Sequence, residues 1–209
     1  MAVPGRPDHR LRTQIAQLAA KIIAVEGVVD YRAAKRKAAQ RLGLHPDRSL
    51  PTNVEVREAL QEYQRLFQRD AHATTQDTLR KTASQAMSLL ENFHPLLAGP
   101  VLDGTATTFS EVVLHVYCGA AEELSFFLEE HGIPFQHSAR TLNMANGDAR
   151  EMPAYRFLAG DTPIVLVVFA EPDKGCVPLS PVDGRPMERA PLARIEALRD
   201  PGFSTTPGK

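Results

Sequence analysis

Apolar positions in residues 1–92 recur every three or four residues. Leu11, Ile15, Leu18, Ala19, Ile22 and Ile23 draw one stripe, the period of an amphipathic helix. Gly27 is a stop signal for that helix. Asp30 is an N-cap for a second helix over 31–42, and Gly43 closes it. This second helix places Arg32, Lys35, Arg36, Lys37 and Arg41 around a face of Ala33, Ala34, Ala38 and Leu42. Two prolines interrupt residues 45–51, which predicts a loop. Thr52 or Asn53 then caps a third helix to about Arg69. Leu79, Ala83, Ala86, Met87 and Leu90 mark a fourth over about 75–92. The first three helices are expected to pack as a small basic bundle.

From residue 95 the period shortens, and β-branched residues, glycine and proline become dense. Leu96-Leu97-Ala98 reads as a strand, with Gly99-Pro100 as a turn leading to Val101-Leu102. Val112–Tyr117 is a second strand. Leu124, Phe127 and Leu128 give a helix over 120–131, ended by Gly132. An extended stretch begins at Ile133. Residues 141–151 are polar, with the turn signal Asn146-Gly147. Residues 153–158 and 163–169 form a strand pair joined by Ala159-Gly160-Asp161-Thr162. A last short helix covers 192–198. The strands around 113 and 166 are the most apolar and are expected in the centre of a sheet. The fold class is therefore α+β: a helical basic region over 1–92, a mixed-sheet domain flanked by helices over 93–200, and a flexible tail over 201–209.

Composition narrows the class without naming a function. The chain has 209 residues, 43% hydrophobic and 23% charged, which excludes a wholly disordered or fibrous protein. The longest apolar run, Pro163–Ala170, falls well short of the ~20 residues of a spanning helix. The start Met-Ala-Val-Pro-Gly-Arg-Pro lacks the apolar stretch of a secretory leader. Cys118 and Cys176 cannot make a disulfide framework. The expectation is a cytoplasmic protein with reduced thiols and no membrane partner. The net charge of −1 hides an asymmetry: residues 1–92 sum to +5 and the remainder to −6. A basic half can attract phosphate through counterion release.

One stretch carries candidate chemistry: Leu97-Ala-Gly99-Pro100-Val-Leu-Asp-Gly104-Thr105-Ala106-Thr-Thr-Phe-Ser110-Glu111-Val-Val113-Leu114. It resembles the signature of the nucleotidyltransferase superfamily, the DNA polymerase β-like fold. That signature has Gly-Ser, a second glycine five positions after the first, and Ser-Asp-x-Asp-Leu on the next strand. Gly99 and Gly104 match its glycines, Ser110 its serine, Glu111 its first carboxylate and Leu114 its closing leucine. The segment 31–43 is similar to the basic helical region that small bacterial members place before such a domain. The resemblance implies a nucleotidyltransferase-like sheet, with Gly99, Gly104, Thr105 and Ser110 at a nucleoside triphosphate and Glu111 as the catalytic, metal-holding carboxylate.

The chemistry needs those residue types. Two metal ions clamp the attacking and leaving oxygens of the α-phosphorus. Mg²⁺ prefers carboxylate oxygens, and Asp-x-Asp on a strand points both acids to one face. The chain departs from the pattern at three positions. Pro100 replaces the phosphate-binding serine and has no N–H. Glu111 replaces aspartate, and Val113 replaces the second acid. The strand 164–169, where a third acid is expected, is wholly apolar, with Asp161 and Glu171 beyond its ends. The expectation is therefore a degenerate metal site on a retained fold, acting by binding a nucleotide, RNA or DNA, or a protein partner. The alternatives are an active enzyme that moves a nucleoside monophosphate onto RNA or protein, with Mg²⁺ as cofactor only in that case, and an interaction or antitoxin-like module.

Further candidates are weaker. His115 shares the strand face of Glu111, so the two make a candidate metal or acid/base pair, against a hydrogen-bonded structural histidine. Asp103 is a turn residue or a ligand. His9, His45, His72, His94, His131 and His137 show no metal-ligand spacing. Glu122, Glu123, Glu129 and Glu130 read as a solvated helix face. Arg140, Arg150 and Arg156 are solvent-facing, or meet phosphate if a cleft persists. Residues 26–30 fit the turn of a helix-turn-helix, which makes Arg32, Lys35, Arg36, Lys37 and Arg41 candidate phosphate contacts.

Overall fold

The computed structural model describes residues 6–44 and 50–199. His45 and the expected tail 201–209 lie outside the described residues. The architecture is α+β, with seven α-helices and one six-stranded mixed sheet among the described residues. The chain divides into two compact units. The first holds the chain to Thr75 together with Thr105–Ser110 and Pro181–Gly184. The second holds Gln76–Gly104, Glu111–Ser180 and the chain from Arg185 onward.

In the first unit, α1 (Arg6–Glu26), α2 (Tyr31–Arg41) and α3 (Asn53–Phe67) pack on one another. The apolar stripe becomes their core: Ile15, Ala19, Ile22 and Ile23 of α1 meet Ala34 and Ala38 of α2 and Val56 and Leu60 of α3. Alanine on the buried face of α2 lets its backbone approach closely, while Ala33 and Leu42 are exposed. Asp30 caps α2, its carboxylate accepting from Ala33 N at 2.9 Å. Thr52 caps α3 through a reciprocal box: Glu55 N donates to Thr52 Oγ1 at 3.2 Å, and Thr52 N donates to Glu55 Oε2 at 2.6 Å. Gly27 adopts a φ of +70°, and a side chain there would meet the ring of Phe109 at 2.8 Å.

α4 (Arg69–Leu89) starts six residues before the expected position at Thr75. Its first turns are polar and mostly exposed, so no apolar period marks them. The division between the units by compactness falls within this helix, between Thr75 and Gln76, whereas the change of sequence texture comes near residue 95.

In the second unit the strands are β1 (Leu96–Ala98), β2 (Val112–Cys118), β3 (Phe135–Asn143), β4 (Ala149–Ala159), β5 (Thr162–Ala170) and β6 (Arg189–Ala190). Their order is β3-β4-β5-β2-β1-β6. β2 and β5 are parallel and central, with Val113 opposite Val165 and His115 opposite Val167. All other neighbours are antiparallel. Where a Gly99-Pro100 turn leading to Val101-Leu102 is expected, Pro100, Val101 and Leu102 lie in a short helix, α5 (Pro100–Asp103), with Gly99 at its N-cap. α6 (Ala121–Glu130) packs beside β2 and carries the exposed acids expected of it. The Tyr155 hydroxyl ties β4 to its start by donating to the Ala121 carbonyl at 2.9 Å. Val113, Tyr117, Met152, Ala154, Val165, Val167 and Phe169 form an apolar cluster on one sheet face. α7 (Leu192–Arg199) closes the described chain, and Arg199 meets Asp77 of α4 at 3.1 Å.

Candidate functional site

The stretch from β1 to β2 forms a strand, a one-turn helix, a compact turn and a strand. Gly99 has φ 74° and ψ −156°, a conformation essentially reserved for glycine. Gly104 ends α5 at φ 83°, its N–H donating to the Pro100 carbonyl at 3.1 Å. Both glycines are thus required by the chain path itself. Thr105 and Ser110 belong to the helical unit, whereas Gly99, Gly104, Glu111 and His115 belong to the sheet unit. The Thr105 carbonyl accepts from Gln64 Nε2 at 3.2 Å. The Ser110 hydroxyl is buried and accepts from Thr107 N at 2.9 Å, closing the turn locally.

Glu111 is held by two arginines. Arg140 Nη2 of β3 donates to Glu111 Oε2 at 2.5 Å, and Arg156 Nε of β4 donates to Oε1 at 3.1 Å. The Glu111 side chain is 26% exposed and each arginine side chain 46%. Period-two alternation brings Arg140 and Arg156 to the sheet face of Val113. Sequence reading named both arginines but did not pair them with Glu111, because the pairing depends on the order in which four strands, β3, β4, β5 and β2, line up.

His115 is 1% exposed, and its ring lies 4.8 Å from that of Phe169. It shares no hydrogen bond with Glu111, so the candidate acid–imidazole pair is not joined by one, and its ring packs against Phe169 instead. Its Nδ1 has no hydrogen-bond partner among the described residues. Burial, with the Arg189 charge nearby, pushes its pKa down to about 4. Arg189 Nη1 donates to the Tyr117 hydroxyl at 2.5 Å. Burial raises the Cys118 thiol to about 11, so it is not an activated nucleophile. Cys176 lies 3.6 Å from an Asp173 oxygen. Among the described residues no group of three or more His, Cys, Asp or Glu is placed to hold a metal ion.

The five basic residues of α2 divide. Lys35 Nζ donates to the Pro51 carbonyl at 3.0 Å, and burial lowers its pKa. Lys37 meets Glu26 at 2.8 Å, and Arg41 grips both oxygens of the same carboxylate. These two cations pull the Glu26 pKa down to about 2. Arg32 and Arg36 are exposed and make no ion pair among the described residues.

A depression of about 50 Å³ in the helical unit is lined by Gln64, Gln68, His72, Thr75 and Thr107. It suits a few water molecules and is far below the ~300 Å³ or more of a nucleotide-sized pocket. Among the described residues no helix is long and apolar enough to cross a membrane. No family model, curated protein or solved structure matches the chain.

Proposed function

We propose that this chain is a nucleotidyltransferase-like protein that binds a phosphate-bearing ligand, a nucleotide or a nucleic acid, without nucleotidyl-transfer chemistry of its own. The observation that carries this reading is the state of Glu111. The one acid at a carboxylate position of the signature is engaged by two guanidiniums rather than turned to a cation site. The other expected ligands do not replace it. Val113 packs against the apolar cluster of the sheet, and β5 presents buried aliphatic and aromatic side chains from Ile164 to Phe169. Pro100 offers no N–H at the glycine turn. These residues do not fit a Mg²⁺ pair, which needs several hard oxygen ligands converging on each ion. The strand–helix–strand path through Gly99 and Gly104 agrees with the family resemblance.

The test is label transfer. The protein is incubated with α-labelled nucleoside triphosphates, a mixed RNA pool and either Mg²⁺ or Mn²⁺. The expected result is no labelled product from the native chain or from Glu111→Ala. Product made by the native chain and lost in Glu111→Ala overturns the reading.

A further inference from the structure

We infer that Arg140 and Arg156 form a phosphate-binding site that Glu111 occupies in the ligand-free protein, so that the acid acts as an internal competitor for anions. The inference deepens the binding reading above by naming the group bound and the residues that hold it.

The geometry is specific. Both arginines lie on one sheet face, two strands contributing one each, with small residues between them: Ser138 on β3 opposes Ala154 on β4. A guanidinium presents several N–H donors in a rigid fork. Glu111 uses Nη2 of Arg140 and Nε of Arg156, which leaves the Nη atoms of Arg156 and the other nitrogens of Arg140 without partners among the described residues. Two positive charges face one negative charge, so the cluster keeps a net positive charge.

Strength decides which anion prevails. An exposed ion pair contributes little, because water screens it and ordering two long side chains costs entropy. Glu111 is therefore displaced at small cost. A phosphate carries more charge than a carboxylate and more oxygens arranged for bidentate arginine contacts, which makes it the stronger partner of the same fork. The remaining donors of both arginines can then be used. The carboxylate position that resembles a metal ligand becomes the element that lowers anion affinity.

Isothermal titration of the full chain with inorganic tripolyphosphate in metal-free, low-salt buffer tests this. Glu111→Gln is expected to tighten binding about five- to tenfold, because a competing charge is removed while the side-chain shape stays. Arg140→Gln and Arg156→Gln are each expected to weaken it about tenfold or more. Affinity unchanged or weakened in Glu111→Gln overturns the proposal, as does native-like binding by the double arginine variant. The Glu111→Gln gain cannot come from misfolding, which would lower affinity. Competition by ATP assigns the site to free nucleotides, and competition by a short single-stranded oligonucleotide assigns it to a nucleic-acid backbone; failure of both overturns the phosphate assignment. A parallel Mn²⁺ titration separates the two readings. Mn²⁺ binding that Glu111→Gln abolishes refutes the degenerate metal site, whatever tripolyphosphate does.

Discussion

His115 carries the clearest pH signature of any single residue here. Its imidazole is buried, with Nδ1 unpartnered among the described residues, and its pKa falls from 6.5 to about 4. The unfolded chain therefore binds a proton more readily than the native one. Stability is full above pH 6.5 and declines as pH drops toward 4, by about 3 kcal/mol in total. Urea midpoints measured between pH 4 and 7 should show this slope, and His115→Leu should flatten it. A second residue prediction concerns Gly27. Its φ of +70° disfavours any side chain, and an added Cβ would sit 2.8 Å from Phe109. That ring is 49% exposed and can yield, so backbone strain dominates. Gly27→Ala should cost about 1 kcal/mol in chemical denaturation. The glycine was legible as a helix stop; the ring above it was not, since Phe109 is distant in sequence.

Helix caps and strand positions set the behaviour of the elements. Thr52→Ala removes the side-chain acceptor for Glu55 N and should destabilise α3 by about 1 kcal/mol, read as a lower urea midpoint. On α2, only Arg32 and Arg36 are exposed without an ion pair among the described residues. If α2 contacts a nucleic-acid backbone, Arg32→Ala/Arg36→Ala should lower the slope of log affinity against log salt by about 2, and Lys37→Ala should change it less. An unchanged slope in the double variant removes α2 from the interface. The amphipathic helices were readable because their apolar period reflects one buried side. The start of α4 and the length of β3 were not. β3 is exposed along almost its whole length, so backbone pairing with β4, not side-chain alternation, makes it a strand.

The two compact units are not two consecutive pieces of chain. The helical unit includes Thr105–Ser110 and Pro181–Gly184, and these segments satisfy groups that α3 buries. Gln64, 2% exposed, donates to the carbonyls of Thr105 and Ala106 at 3.2 and 3.3 Å. Asn53 Nδ2 donates to the Pro181 carbonyl at 2.7 Å, and Arg57 meets Asp183 at 3.7 Å. A fragment of residues 1–75 loses all of these, and a buried donor without an acceptor costs about 1–3 kcal/mol. Amide hydrogens of α3 should therefore exchange faster in the fragment than in the full chain. Equal protection would show that the inserted segments add nothing to the helical unit.

Local rules determined the helices, their caps, the central strands and the glycine turn, because each depends on neighbours a few residues apart. Tertiary structure alone decided the company that the polar residues keep. Glu111 meets Arg140 and Arg156 only because β3, β4 and β5 line up beside β2 in that order and register. His115 is stranded from Glu111 by burial against Phe169. Charge partnership follows distance in space, and distance in space is set by strand order, which no short stretch of sequence encodes.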